Sequence, residues 1–213
     1  EFVINFFQAE LDRDSVKEYL QLYDEYSGYS QVGSVAEEDR TQAPSVKDSL
    51  KTLSICKKIN KTLTQKQKTI VLIKLLELVG SDGHFTSQRM DIINTVAVVF
   101  NIPQLENALL ESFVVSTDEG TLNFPDILIA NAAEAAAAEK KYKHAHIHIN
   151  GNLIFLRARS VDMLFVKYLG EEPTTLNSFI MQPNRVYLFS HGSTIKTQEG
   201  TALYYSDIVA DFN

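Results

Sequence analysis

At 213 residues the chain has room for one large domain or two small ones, and its 45% apolar and 22% charged shares argue against global disorder. A net charge of −7 argues against a nucleic-acid surface, which needs a basic field to displace counterions, and against docking on anionic lipid. The single cysteine, Cys56, excludes an internal disulfide and fits a reducing compartment.

The first residues, Glu1-Phe2-Val3-Ile4, carry no basic region, so they do not read as a signal peptide. Residues 2–27 predict a short helix and then a second one from Asp14 or Ser15, with Val16, Tyr19, Leu20 and Tyr23 on one face. Tyr19, Tyr23, Tyr26 and Tyr29 recur at helical spacing, which makes either a packing stripe or an exposed recognition stripe. Residues 28–45, rich in Ser, Gly, Glu and Asp, read as a loop. A helix follows over 46–60, with Leu50, Leu53, Cys56 and Ile59 inward. Cys56 among these apolar neighbours reads as a small buried hydrophobe rather than a nucleophile.

Residues 62–103 predict two amphipathic helices hinged on an acid-glycine corner. Thr64 and Gln67 make a capping box, and Ile70, Ile73, Leu75, Leu76 and Val79 then give one apolar face. Gly80 can end that helix, and Thr86 or Ser87 can cap the next, whose apolar face is Ile92, Ile93, Val96, Val99 and Phe100 before Pro103. Lys74 and Glu77 interrupt the best apolar window, so no membrane span is expected. A helix over 103–113 and an extended stretch over Leu122–Ala130 come next.

The pattern then changes. Ala132–Lys143 is alanine-rich with charged punctuation and reads as a solvated helix or connector. After it the apolar period drops to two. His144–Ile149 alternates, Asn150-Gly151 marks a hairpin, and Leu153–Ala158 alternates again. A three-residue loop would align Ile147 and Ile149 with Phe155 and Leu153, and is preferred to a two-residue one. Short strands are expected near Met163–Lys167, Arg185–Ser190, Ser193–Lys196 and Leu203–Val209. The fold class is α+β in two domains, an all-α helical bundle and then a small β-sandwich. Its parts are N-terminal helices and an acidic loop over 1–45, the helical domain over 46–130, the connector over 131–143 and the sandwich over 144–213.

The hairpin resembles the TerB-like family, small helical bundles named for tellurite resistance. An apolar helix ending in a small residue is followed by Asp82-Gly83, Phe85 and the capping Thr86. The resemblance covers about residues 47–116 and implies an accessory module. Where that family carries an acidic residue linked to metal, this chain reads Gln88 and Arg89.

The segment LFVKYLGEEPTTLNSFIMQPNRVYLFSHGSTIK resembles the second half of a forkhead-associated (FHA) sandwich, through Leu176-Asn177, Ile180, Val186, Leu188, Gly192 and Ile195. Within the β region the family's Gly-Arg turn and Ser-X-X-His loop have no counterpart, although Arg157 and Arg159 are present. The order of the two regions, with YYSDIVADF after them, resembles the N-terminal part of bacterial ABC transporter ATP-binding proteins. That implies a cytoplasmic region at the inner face of the bacterial membrane, with the ATPase domain and membrane helices downstream. The chain begins without Met and ends on Asp211-Phe212-Asn213, and both are expected to be cut edges of a longer protein, with N-terminal processing as the alternative.

A search for chemistry narrows the rest. No Gly-X4-Gly-Lys-Ser/Thr loop occurs, so ATP is expected only in a downstream domain, and no cofactor in this segment. No nucleophile elbow, zinc-protease helix or paired-carboxylate pattern appears, so the segment is not expected to be an enzyme. His144, His146 and His148 share one strand face and could ligate zinc or nickel; the other reading is the polar face of a half-buried strand, with Ala145, Ile147 and Ile149 inward. Asp82, with Glu77, His84 and Asp91 nearby, could bind a hard cation, or Asp82-Gly83 is simply a turn.

Three functions follow as expectations. The first is a non-catalytic accessory region of an ABC transporter ATP-binding protein that docks on protein or on downstream domains of the same chain, with neither nucleic-acid binding nor membrane insertion. The second is a stand-alone adaptor that meets a phosphorylated or acidic partner through Arg157, Arg159, Asn177 and Ser193. The third is a metal-dependent stress-response module using the histidine strand or the Asp82 corner.

Overall fold

The structure is a computed structural model that describes residues 57, 58, 60–80, 87–134 and 140–213. The expected helices and loop before residue 46, the tyrosine stripe, Cys56 and the Asp82-Gly83 corner lie outside the described residues. Two units divide at Lys68 and Thr69.

In the first unit, the capping box opens helix α1 (Gln65–Gly80). Thr64 N–H donates to Gln67 Oε1 at 2.9 Å, and Gln67 N–H donates to Thr64 Oγ1 at 3.3 Å. Two otherwise orphaned backbone donors are satisfied this way.

The second unit holds the rest of α1, α2 (Ser87–Val99), α3 (Gln104–Val115) and the strands found among the described residues. Ile70, Ile73 and Leu76 are buried as expected, and so are Leu72, Thr69 and Lys74. An interior helix of this kind is covered on more than one side, which a single-face reading understates. At the end of α2, Asn101 takes a left-handed conformation (φ 55°). Ile102 N–H then reaches Ala97 C=O, and Asn101 N–H reaches Val98 C=O, both at 3.0 Å. This pair of bonds is a Schellman closure, and Pro103 follows it into α3.

The first sheet has five strands: β1 (Ile127–Asn131), β2 (Lys143–His146), β3 (Asn152–Ala158), β4 (Met163–Leu169) and β7 (Val186–Phe189), in the order β2-β1-β3-β4-β7. The β1–β2 pair is parallel and the others are antiparallel. The second sheet is antiparallel, in the order β6-β5-β8-β9, from β5 (Thr175–Leu176), β6 (Phe179–Ile180), β8 (Thr194–Lys196) and β9 (Ala202–Tyr204). The chain is therefore mixed α and β, with a small helical region and two largely antiparallel sheets.

Leu128, Phe155, Val166, Tyr168 and Phe189 from the first sheet share one core with Leu176, Ile195 and Leu203 from the second. The alternate residues Ile127, Ile129, Ile154, Leu156 and Phe165 are buried as well. Helix α3 packs on β3, which explains why the central strands read as nearly continuous apolar runs. The Glu106 carboxylate of α3 accepts from Ser160 N–H at 3.0 Å in the β3–β4 turn, fixing that helix at its first turn.

Three expectations need correction. The β2–β3 hairpin does not form. Strand β1 lies between them, pairing Leu128 with Phe155 on one side and with Lys143 on the other. An all-buried strand belongs at a sheet's interior, and the half-exposed histidine strand takes the edge. Still, Ile147 and Ile149 do point into the core with Phe155 and Leu153. Gly151 turns the chain at φ +110°, where a Cβ would strike the Leu169 carbonyl oxygen.

Secondly, the sheet begins at Ile127, ahead of the alanine-rich stretch rather than after it. Residues 132–134 and 140–142 of that stretch are not helical, and 135–139 lie outside the described residues. Thirdly, only Leu203 and Tyr204 of the expected last strand are extended, in β9, and Tyr205–Phe212 is a helix, α4. Tyr205, Ile208, Val209 and Phe212 recur at helical spacing against the core, and the Asp207 carboxylate accepts from Tyr204 N–H at 3.2 Å. No helix among the described residues is long and apolar enough to cross a membrane.

Candidate functional site

The candidate residues fall into separate places. His144, His146 and His148 lie along edge strand β2 and just beyond it. His144 Nε2 is 2.8 Å from Asn131 Oδ1, and His146 Nδ1 is 3.1 Å from the Ala133 carbonyl oxygen. The rings of His146 and His148 meet edge to face, 5.6 Å between centroids. Among the described residues no three His, Cys, Asp or Glu side chains form a group able to hold an ion. Asp82 lies outside them.

The two arginines sit at the other end of β3, each facing a carboxylate. Arg157 donates to Asp162 Oδ1 at 3.4 Å and to Asn213 Oδ1 at 3.2 Å, and Arg159 donates to Asp126. Asn177 belongs to the turn between β5 and β6, at φ 50°. Its side-chain oxygen accepts from Thr194 N–H at 2.9 Å, and its own N–H donates to Thr194 C=O at 2.9 Å. Ser193, next to Thr194, is buried with its hydroxyl accepting from Ser190 N–H at 3.1 Å. Asn177 and Ser193 thus stand together as turn-builders, apart from the arginines.

Sequence reasoning missed two features. One is a buried charge cluster between α1 and the first sheet. Lys74 Nζ donates to Glu77 Oε2 at 2.6 Å and to Val186 C=O at 2.9 Å, while Glu77 Oε1 accepts from Val186 N–H at 2.7 Å. Strand β7 ends the sheet order on that side, and one helical Lys–Glu pair occupies both backbone groups of Val186 on that edge. Lys167, fully buried in β4, donates to Ser116 C=O and lies 5.4 Å from the centre of the Phe113 ring. Its Nζ is also 3.4 Å from Asn184 Oδ1.

Burial pushes the Lys167 ammonium down to about 8, with the Glu77 charge opposing. Lys74 is also lowered, by burial first, against the same Glu77. The signal was a lysine inside the apolar run of β4, and the Lys74–Glu77 spacing that otherwise reads only as a break in hydropathy.

The other feature is β6. Successive strand residues point to opposite faces, yet Phe179 and Ile180 are 79% and 63% exposed. Among the described residues nothing covers either face of β6, and it ends the order of its sheet. An uncovered apolar edge strand can accept another extended segment by backbone pairing.

No protein-family profile, curated protein or solved structure matches the chain.

Proposed function

We propose that this chain is a non-catalytic accessory region of a bacterial ABC transporter ATP-binding protein, on the cytoplasmic side, acting by docking on downstream domains of the same protein. In this reading α1 and α2 belong to a TerB-like helical module and the two sheets to an FHA-like one. The observation that carries docking is β6, with two consecutive large apolar side chains exposed on an unpaired edge. The domain order and the quoted strings supply the transporter part of the reading. The phosphopeptide alternative gains less from the geometry, since Arg157 and Arg159 face Asp162 and Asp126 and Ser193 is buried.

An immunoblot of fractionated source cells, with an antibody to this segment, tests the transporter assignment. The expected result is a band much heavier than 24.0 kDa that stays with the membranes. A soluble band at that mass would end this reading and leave the adaptor.

A further inference from the structure

The histidine edge carries an inference that does not depend on the docking reading. Asn131 Oδ1 already accepts from Ala133 N–H at 3.0 Å, and Asn131 Nδ2 donates to Asn152 Oδ1 at 2.7 Å, which fixes which amide atom is the oxygen. An oxygen can only accept, so His144 must carry its proton on Nε2. By the same logic the Ala133 carbonyl obliges His146 to carry its proton on Nδ1. The lone pair of His146 therefore stands on Nε2, the nitrogen away from the backbone. A ring N–H tied to a carbonyl, with the opposite nitrogen left basic, is the outer-shell arrangement found behind metal-binding imidazoles.

The spacing agrees. With metal–nitrogen distances of about 2.0–2.1 Å and tetrahedral angles, two imidazoles on one ion have ring centres about 5 Å apart. His146 and His148, two positions apart and both exposed on the sheet edge, have centres 5.6 Å apart. Rotation of the exposed His148 side chain covers the difference while His146 keeps its bond to the Ala133 carbonyl.

We propose that His146 and His148 form a two-histidine chelate for a divalent transition-metal ion such as zinc, nickel or copper, with the remaining coordination positions open. Imidazole suits these ions, and with one cysteine in the chain and no group of three ligating side chains among the described residues the ion is held exchangeably rather than structurally. His144 supports the strand through Asn131 and stays outside the chelate.

Calorimetric titration of the full chain with zinc, nickel or copper chloride tests it. One ion per chain is expected, or one per two chains where a second copy's pair fills the open positions. Loss of an outer-shell partner alone weakens a metal by about 10–100-fold, so His146→Ala and His148→Ala are each expected to weaken binding by at least about tenfold. The exposed His191→Ala variant is expected to bind as the parent does, and all three are expected to melt as it does. Absence of binding to the parent would overturn the proposal. So would binding that survives in both His146→Ala and His148→Ala, or that is lost equally in His191→Ala.

Discussion

Replacing Glu77 with leucine is expected to destabilise the fold by about 3–5 kcal/mol, the usual result of removing one partner from a buried ion pair. The carboxylate does three things at once. It accepts from Lys74 Nζ, accepts from Val186 N–H, and holds negative charge opposite Lys167. Leucine fills the space but leaves two buried ammonium groups and an unpaired edge donor. Glu77→Gln keeps an acceptor for Val186 and loses only the charge, so its expected loss is smaller. Replacing Lys74, Glu77 and Lys167 together with Met, Leu and Met removes the uncompensated charges, and stability should recover in large part. Urea unfolding of these variants measures the order. A Glu77→Leu loss below about 1 kcal/mol, the size of an exposed pair, would show that the cluster is solvated.

Lys167 gives the second large effect, read through pH. Below about pH 8 its ammonium is charged in both the folded and the unfolded chain, so the full cost of burial is present. Between about 8 and the ordinary value of 10.5, the folded chain has released a proton that the unfolded chain still holds. Stability attributable to this group therefore rises with pH across that window, by on the order of 3 kcal/mol in all. Lys74, lowered by the same cause, adds in the same direction. Other groups also titrate at alkaline pH, so the test is a difference. Lys167→Met is expected to be more stable than the parent at pH 7, with the advantage shrinking by pH 10. Parallel pH profiles for the two proteins would contradict this account of Lys167.

Local chemistry made much of the described part legible. The Thr64–Gln67 box, the stop at Asn101 before Pro103, and the inward set of Ile147 and Ile149 all follow from residue type and spacing. Pairing was less legible, because the Asn150-Gly151 turn signals a reversal without naming the neighbouring strand. The neighbour is β1, whose run Ile127-Leu128-Ile129-Ala130 demands a place covered on both faces. Period was misread at Leu203–Val209, where a short run fits both strand and helix until Asp207 caps it. The charge cluster escaped because its members come from α1 and β4, far apart in sequence, and only packing brings them together. The arginines were visible, but the carboxylates that occupy them, Asp126 and Asp162, were not paired with them by any spacing rule.

Docking through β6 is most directly tested by a photo-crosslinking side chain at position 179, in the full protein in source cells. Phe179 is solvent-facing, so the replacement leaves the core untouched. A cross-link is expected from position 179 to a peptide in a downstream domain of the same polypeptide, weakened when Ile180 is changed to Thr. A folded, membrane-associated protein that yields no cross-link from position 179 would contradict docking through β6.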